Sequence, residues 1–216
     1  MKLEVPNKLG GIPLKAYQSY LEIEEPKEQD VLRVLLGIDR DVMRRMKSKS
    51  VTELGVHLKN LMDRDHKLIR RFKMNGIEFG FIPNLDKATS GEIWDVEELI
   101  GNPKTMHQAM AVLYRKVTYE NKKTKQYTIE KYEPGKYDDM MRECPLDVVL
   151  GANVFFYTLT SDLLNAIPKY MKEEVAQHKN SGHSIENGED ITDSIRLLEG
   201  TVLNLKMHPN YLSTQL

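Results

Sequence analysis

The sequence is short of cysteine, of tryptophan, of net charge and of any catalytic signature. Cys144 is the single cysteine among 216 residues, so no disulfide can form within the chain. A lone thiol fits a reducing compartment. The opening "MKLEVPNKLGG" holds no apolar run and does not read as a signal peptide. Lysine and arginine total 31 against 32 acids, a formal charge of −1. A general nucleic-acid binder carries a basic excess, so that class is disfavoured. The most apolar run, "LDVVLGANVFFYTLTSDLL" (146–164), is about one bilayer long. Asp147, Asn153 and Asp162 interrupt it, each costly in lipid, so we read a buried core helix and expect no membrane partner. There is no phosphate-cradling glycine loop, no zinc-helix signature and no nucleophile elbow. We therefore assign no catalytic, cofactor-binding or metal-binding residue, and expect a protein that is not an enzyme.

What is present is punctuation for an α+β domain. Residues 2–5 alternate weakly before Pro6 and read as a short edge strand. Leu14, Tyr17 and Leu21 recur at helical spacing, which predicts a helix over 13–23. Val31, Val34 and Leu35 give the next helix its apolar face, and Asp39–Lys47 reads as short turns. Ser50 and Glu53 have capping-box spacing ahead of Leu54, Leu58 and Leu61. Asn75-Gly76 stands between alternating apolar residues. Both central positions of a tight hairpin turn need positive φ, which Asn-Gly supplies. That register sets Met74 opposite Ile77, Lys73 opposite Glu78 and Phe72 opposite Phe79.

Thr89 or Ser90 is then expected to cap an acidic helix that holds Trp94. Glu92 and Asp95 in its first turn suit the positive end of the helix dipole. Pro103 opens a further helix with Met106, Met110 and Leu113 on one side. The class predicted is α+β, mostly helical. Two β-hairpins are expected at about 68–83 and 115–132, and a long apolar core helix at about 145–175. The domain spans 1–177. A polar linker, "HKNSGHSIENGED", covers 178–190. A C-terminal helix and tail follow at 191–216, with Ile191, Ile195, Leu198, Val202 and Leu205 on one face.

Several polar clusters invite a chemical reading. Asp63, Asp65 and His66 are oxygen and imidazole donors, but three adjacent residues seldom converge without distant partners, so a polar helix end is the plainer account. His107 reads as a satisfied buried histidine and Cys144 as a small buried hydrophobe. The charges are segregated. "RRMKSK", "HKLIRRFK" and "RKVTYENKKTK" are basic, whereas "EIEEPKEQD" and "EIWDVEE" are acidic. A solvated face explains such runs, and complementary contacts between subunits are the sharper alternative.

Taken together, "IPLKAYQSYL", "GIEFGFIPNLDKATSGEIWDVEELIGNPKTMHQAMAVLYRKV", "YTIEKYEP" and "CPLDVVLGANVFFYTL" followed by "SIENGED" resemble a family of small morphogenesis proteins of tailed bacteriophages. There a Gly-Glu step opens a short acidic helix, and an "MAVLYRP"-type helix runs into a hairpin. Here the step is Gly91-Glu92, and Lys116 stands where proline is common. The likeness covers most of the chain. It implies virion assembly, first as a tail-assembly chaperone that holds tape-measure helices, alternatively as a virion structural subunit of a ring, neck or head-associated layer. It implies tail or neck proteins as partners, possible self-association, and a place in the host cytoplasm during assembly or in the virion. It carries no catalytic residue across. The docking face we expect comprises Trp94, Glu97, Glu98, Met106, Met110, Ile195 and Leu198.

Overall fold

The computed structural model describes residues 6–159 and 161–162. The expected strand at 2–5, the continuation of the apolar helix beyond 162, the linker and the C-terminal helix with Ile195 and Leu198 lie outside the described residues. The chain divides into two compact units, Met1–Asn153 and Val154–Gln215. The boundary falls inside the apolar helix. Residues 146–152 of that helix are almost all buried, whereas Tyr157 and Leu159 are exposed.

The first unit opens with four helices, α1 (Leu14–Leu21), α2 (Glu28–Leu36), α3 (Arg40–Arg45) and α4 (Ser48–Met62). Gly37, at φ 63, ends α2 in the left-handed conformation that suits glycine. Asp39 caps α3 by accepting from Asp41 N at 2.7 Å. The capping box expected at Ser50 and Glu53 is not there. The helix starts earlier, after Lys47, so Ser50 lies within its first turn and its N–H donates to Lys47 O.

Four antiparallel strands follow: β1 (Arg71–Met74), β2 (Ile77–Phe81), β3 (Tyr114–Glu120) and β4 (Tyr127–Ile129), ordered β1-β2-β3-β4. Two of the helices that follow α4, α5 (Ser90–Leu99) and α6 (Met106–Leu113), are inserted between β2 and β3. After β4 come α7 (Asp138–Met141) and α8, helical backbone over 146–159. Among the described residues the strands pair antiparallel amid helices with no parallel βαβ unit, so the class is α+β.

Asn75 and Gly76 take φ 51 and 76 at the β1–β2 turn. That turn fixes the pairs Met74–Ile77, Lys73–Glu78 and Phe72–Phe79. One sheet face is aromatic. Phe72 stacks on Phe79, and both Phe72 and Phe81 meet Tyr114 edge-on with centroids 5.3 Å apart. The opposite face is mixed, with the Tyr127 ring and Val117 lying over Gly80 and a charge cluster beside them. Glu78 does not bond Lys73 across the strand; it accepts from Arg71 at 2.6 Å, and Arg71 also reaches Glu120 at 2.8 Å. A guanidinium has donors for two carboxylates, and a lysine has no planar fork to match.

Helix α6 is buried on nearly every side, from Met106 to Leu113. A helix apolar all round belongs in a core. Met106 and Met110 are 5% and 1% exposed, so they are core residues and not part of a docking face. Helix α8 packs with Gly151 against the backbone of Lys67 and Leu68. The chain before α1 is tied to the start of α8: Leu14 N donates to Cys144 O and Leu146 N to Ile12 O, both at 2.9 Å. Among the described residues no helix is long and apolar enough to cross a membrane.

Candidate protein-interaction surface

Thr89, not Ser90, caps helix α5. Thr89 Oγ1 accepts from Glu92 N at 3.3 Å, and Glu92 Oε2 accepts from Thr89 N at 2.6 Å. This reciprocal box satisfies two first-turn donors. Glu92 has a second role that its sequence position hides. Its other carboxylate oxygen pairs with the Arg115 guanidinium at the start of β3, and both side chains are 7% exposed. One turn on, Asp95 accepts from Tyr132 Oη. The Tyr132 ring lies 5.7 Å from the Arg115 guanidinium carbon, within cation–π reach.

The inward positions of α5 are therefore Glu92, Asp95, Val96 and Leu99, spaced i, i+3, i+4, i+7. Half of that face is charged. The acids that looked like surface decoration are what fasten the helix to β3 and to the segment after β4. Burial works against ionising Glu92, but the Thr89 hydrogen bonds and the Arg115 charge outweigh it and hold its pKa below the ordinary 4.5. The folded protein thus keeps Glu92 ionised at a pH where the unfolded chain takes up a proton. Stability from this residue is whole above about pH 4.5 and is lost as pH falls through the lower folded value. The melting temperature of the wild type should therefore drop more steeply below pH 4.5 than that of Glu92→Gln, which has no such proton to bind. Parallel curves would remove Glu92 from the acid response.

With its inner face used, α5 turns Ile93, Trp94, Glu97 and Glu98 outward. Trp94 is 67% exposed. Glu97 and Glu98 lie one turn beyond it, both exposed, in a last turn that holds no basic residue. Carboxylates at that end face the negative pole of the helix dipole. Neither has an ion-pair partner among the described residues. Of the residues expected to form a docking face, the structure keeps Trp94, Glu97 and Glu98 together on one surface. It sends Met106 and Met110 to the core.

A second exposed group lies at the tip of the β3–β4 hairpin. Tyr119 is 63% exposed, and Lys122, Lys123 and Lys125 follow it on the surface. The turn is ordered. Asn121 Oδ1 accepts from Lys123 N at 2.9 Å, Asn121 N donates to Gln126 O at 2.8 Å, and Lys125 sits at φ 59.

The remaining polar clusters have local employment. His66 Nε2 lies 2.8 Å from Met62 O at the end of α4. His107 is buried, with Gln18 Nε2 3.1 Å from its Nδ1; burial, then the Arg142 charge, lowers its pKa. Burial raises the Cys144 thiol, with Asp147 adding to the shift. A cleft of about 190 Å³ is lined by Asp95, Leu99, Gln108, Tyr132 and Asp138. Its polar groups bond one another: Tyr132 to Asp95, and Gln108 Nε2 to Asp138 at 3.3 Å. Among the described residues no three histidine, cysteine or acidic side chains are placed to hold a metal ion.

Sequence reasoning missed the Glu92–Arg115 pair because its members are 23 positions apart. One signal was available: Arg115 directly follows the unbroken apolar run "AMAVLY", where a charged side chain is either leaving the core or buried with a partner. Compared with known proteins, the chain matches no family model, no curated protein and no solved structure.

Proposed function

We propose that this chain is a non-catalytic virion morphogenesis protein of a tailed bacteriophage, acting through protein–protein contact as a structural subunit of a ring, neck or head-associated layer. The observation that carries this reading is the Trp94–Glu97–Glu98 surface on a helix held by a buried ion pair. Tryptophan on a rigid support anchors interfaces at low entropic cost. The surface also lies within the segment on which the resemblance rests, and its Gly91-Glu92 step and Arg115 mark the two ends of that pattern.

The alternative, a tail-assembly chaperone, calls for a broad apolar surface to receive partner helices. The methionine face expected to supply it, Met106 and Met110, is buried, which weighs toward the subunit. Quantitative mass spectrometry of purified particles tests the choice. A subunit is present at fixed copy number. A chaperone is abundant in infected cytoplasm and scarce in the particle, and that outcome would replace the reading.

A further inference from the structure

We propose that α5 of one copy receives the β3–β4 hairpin tip of the next, in a head-to-tail contact between copies of this chain. This names the partner in the structural-subunit reading and rests on it for its biological setting. The surfaces are opposite in charge and alike in design. One presents Trp94 beside Glu97 and Glu98; the other presents Tyr119 beside Lys122, Lys123 and Lys125. Each has one large exposed aromatic ring to desolvate and exposed charges of one sign close to it in sequence, the acid Glu120 beside Tyr119 being taken up by Arg71. An aromatic centre with a charged rim is how specific interfaces are commonly built.

Both surfaces are rigid before contact. Glu92–Arg115 and Asp95–Tyr132 fix α5, and the Asn121 hydrogen bonds fix the hairpin turn. Little order must then be gained on binding. The carboxylates of Glu97 and Glu98 are poorly placed at the negative end of their own helix, and an approaching lysine cluster relieves that. Glu120 is engaged by Arg71, and its reach to Lys125 is 3.8 Å, so Lys122 and Lys123 are the cations left to face outward. Because the two patches differ, the contact is heterologous, and repetition closes a ring or extends a filament. A nucleic-acid backbone is the other polyanion a lysine tip could meet. It would leave Trp94 and its acids without a role, and the chain has no basic excess.

A charge-swap experiment on the full-length protein tests this by sedimentation. The wild type should self-associate with rising concentration, and less so in 0.5 M than in 0.05 M salt, because the higher salt shortens the reach of the charges. Glu97→Lys/Glu98→Lys alone should associate at least about 100-fold more weakly, as should Lys122→Glu/Lys123→Glu alone, because each sets like charges face to face. Mixing the two variants should restore assembly in alternating order, since every contact between unlike copies joins opposite charges. All four side chains are exposed, so neither variant should melt below the wild type, and the lysines at the end of α5 suit its dipole; this excludes misfolding as the cause. A wild type that stays monomeric throughout, a mixture that stays dissociated, or a lysine tip that binds only nucleic acid would overturn the proposal. Particle composition is a separate readout. Self-association by a protein scarce in virions would keep the contact and remove the subunit role; a virion protein that never self-associates would do the reverse.

Discussion

Arg115→Met should destabilise the protein by about 3–5 kcal/mol, because it leaves the Glu92 carboxylate buried without its counter-ion. The cost is large for a reason separate from the strength of the pair. Forming a buried pair and dehydrating its members nearly cancel, whereas stranding one charge does not. Replacing both partners with apolar residues, Glu92→Leu with Arg115→Met, should therefore recover a good part of the loss. Recovery should be incomplete. Glu92 also accepts from Thr89 N, and a lost helix cap costs about 1 kcal/mol. Arg115 also contributes its contact with Tyr132. Urea unfolding of the two single variants and the double gives the coupling energy. A single-variant loss below about 1 kcal/mol, the range of an exposed pair, would show that water reaches the site. Trp94→Ala is the control: an exposed side chain on the same helix, it should change stability by no more than about 0.5 kcal/mol.

Gly151→Ala should be nearly as damaging for a steric reason. A Cβ at position 151 would lie 2.3 Å from Lys67 O and 3.0 Å from Lys67 C. Those are backbone atoms, so no side-chain rotation relieves the clash. Helix α8 would have to move, and Val148, Val149, Leu150 and Ala152 beside Gly151 are all buried. Overpacking of this kind costs about 3 kcal/mol at the upper end of its usual range. The contrast is Gly91→Ala in α5, where an added Cβ meets nothing within 4 Å. There the gain in helix propensity should stabilise by about 0.5–1 kcal/mol. Calorimetric melting of both variants checks the pair. Equal and small effects would mean that the approach of α8 to Lys67 is looser than described.

Much of this was legible in the sequence wherever the governing interaction is local. Asn75-Gly76 dictates a turn, and a two-residue turn leaves one register. Thr89 with Glu92 is a cap within four residues. Gly37 ends a helix because its φ is positive. The α+β class follows from such signals added along the chain. Local signals mislead where a second local solution competes. Ser50 and Glu53 have cap spacing, but the helix starts at Ser48 and overrides them. Ser90 stands beside a better-placed threonine.

The candidate surface was half legible. Trp94 stands out as the only tryptophan, and Glu97 and Glu98 as acids beside it. Composition alone could not separate outward acids from inward ones, since Glu92, Asp95, Glu97 and Glu98 lie within two turns of one helix. The sequence by itself determined the hairpin turn at Asn75-Gly76, the Thr89–Glu92 cap and the α+β class. Only the tertiary structure decided which acids of α5 face Arg115 and Tyr132 and which face out. It also decided that Met106 and Met110 are core, and that Tyr119 near the hairpin tip is exposed. The physical reason is range. Backbone turns and caps are settled by neighbours along the chain, whereas burying a charge requires a partner that only the folded chain brings within bonding distance.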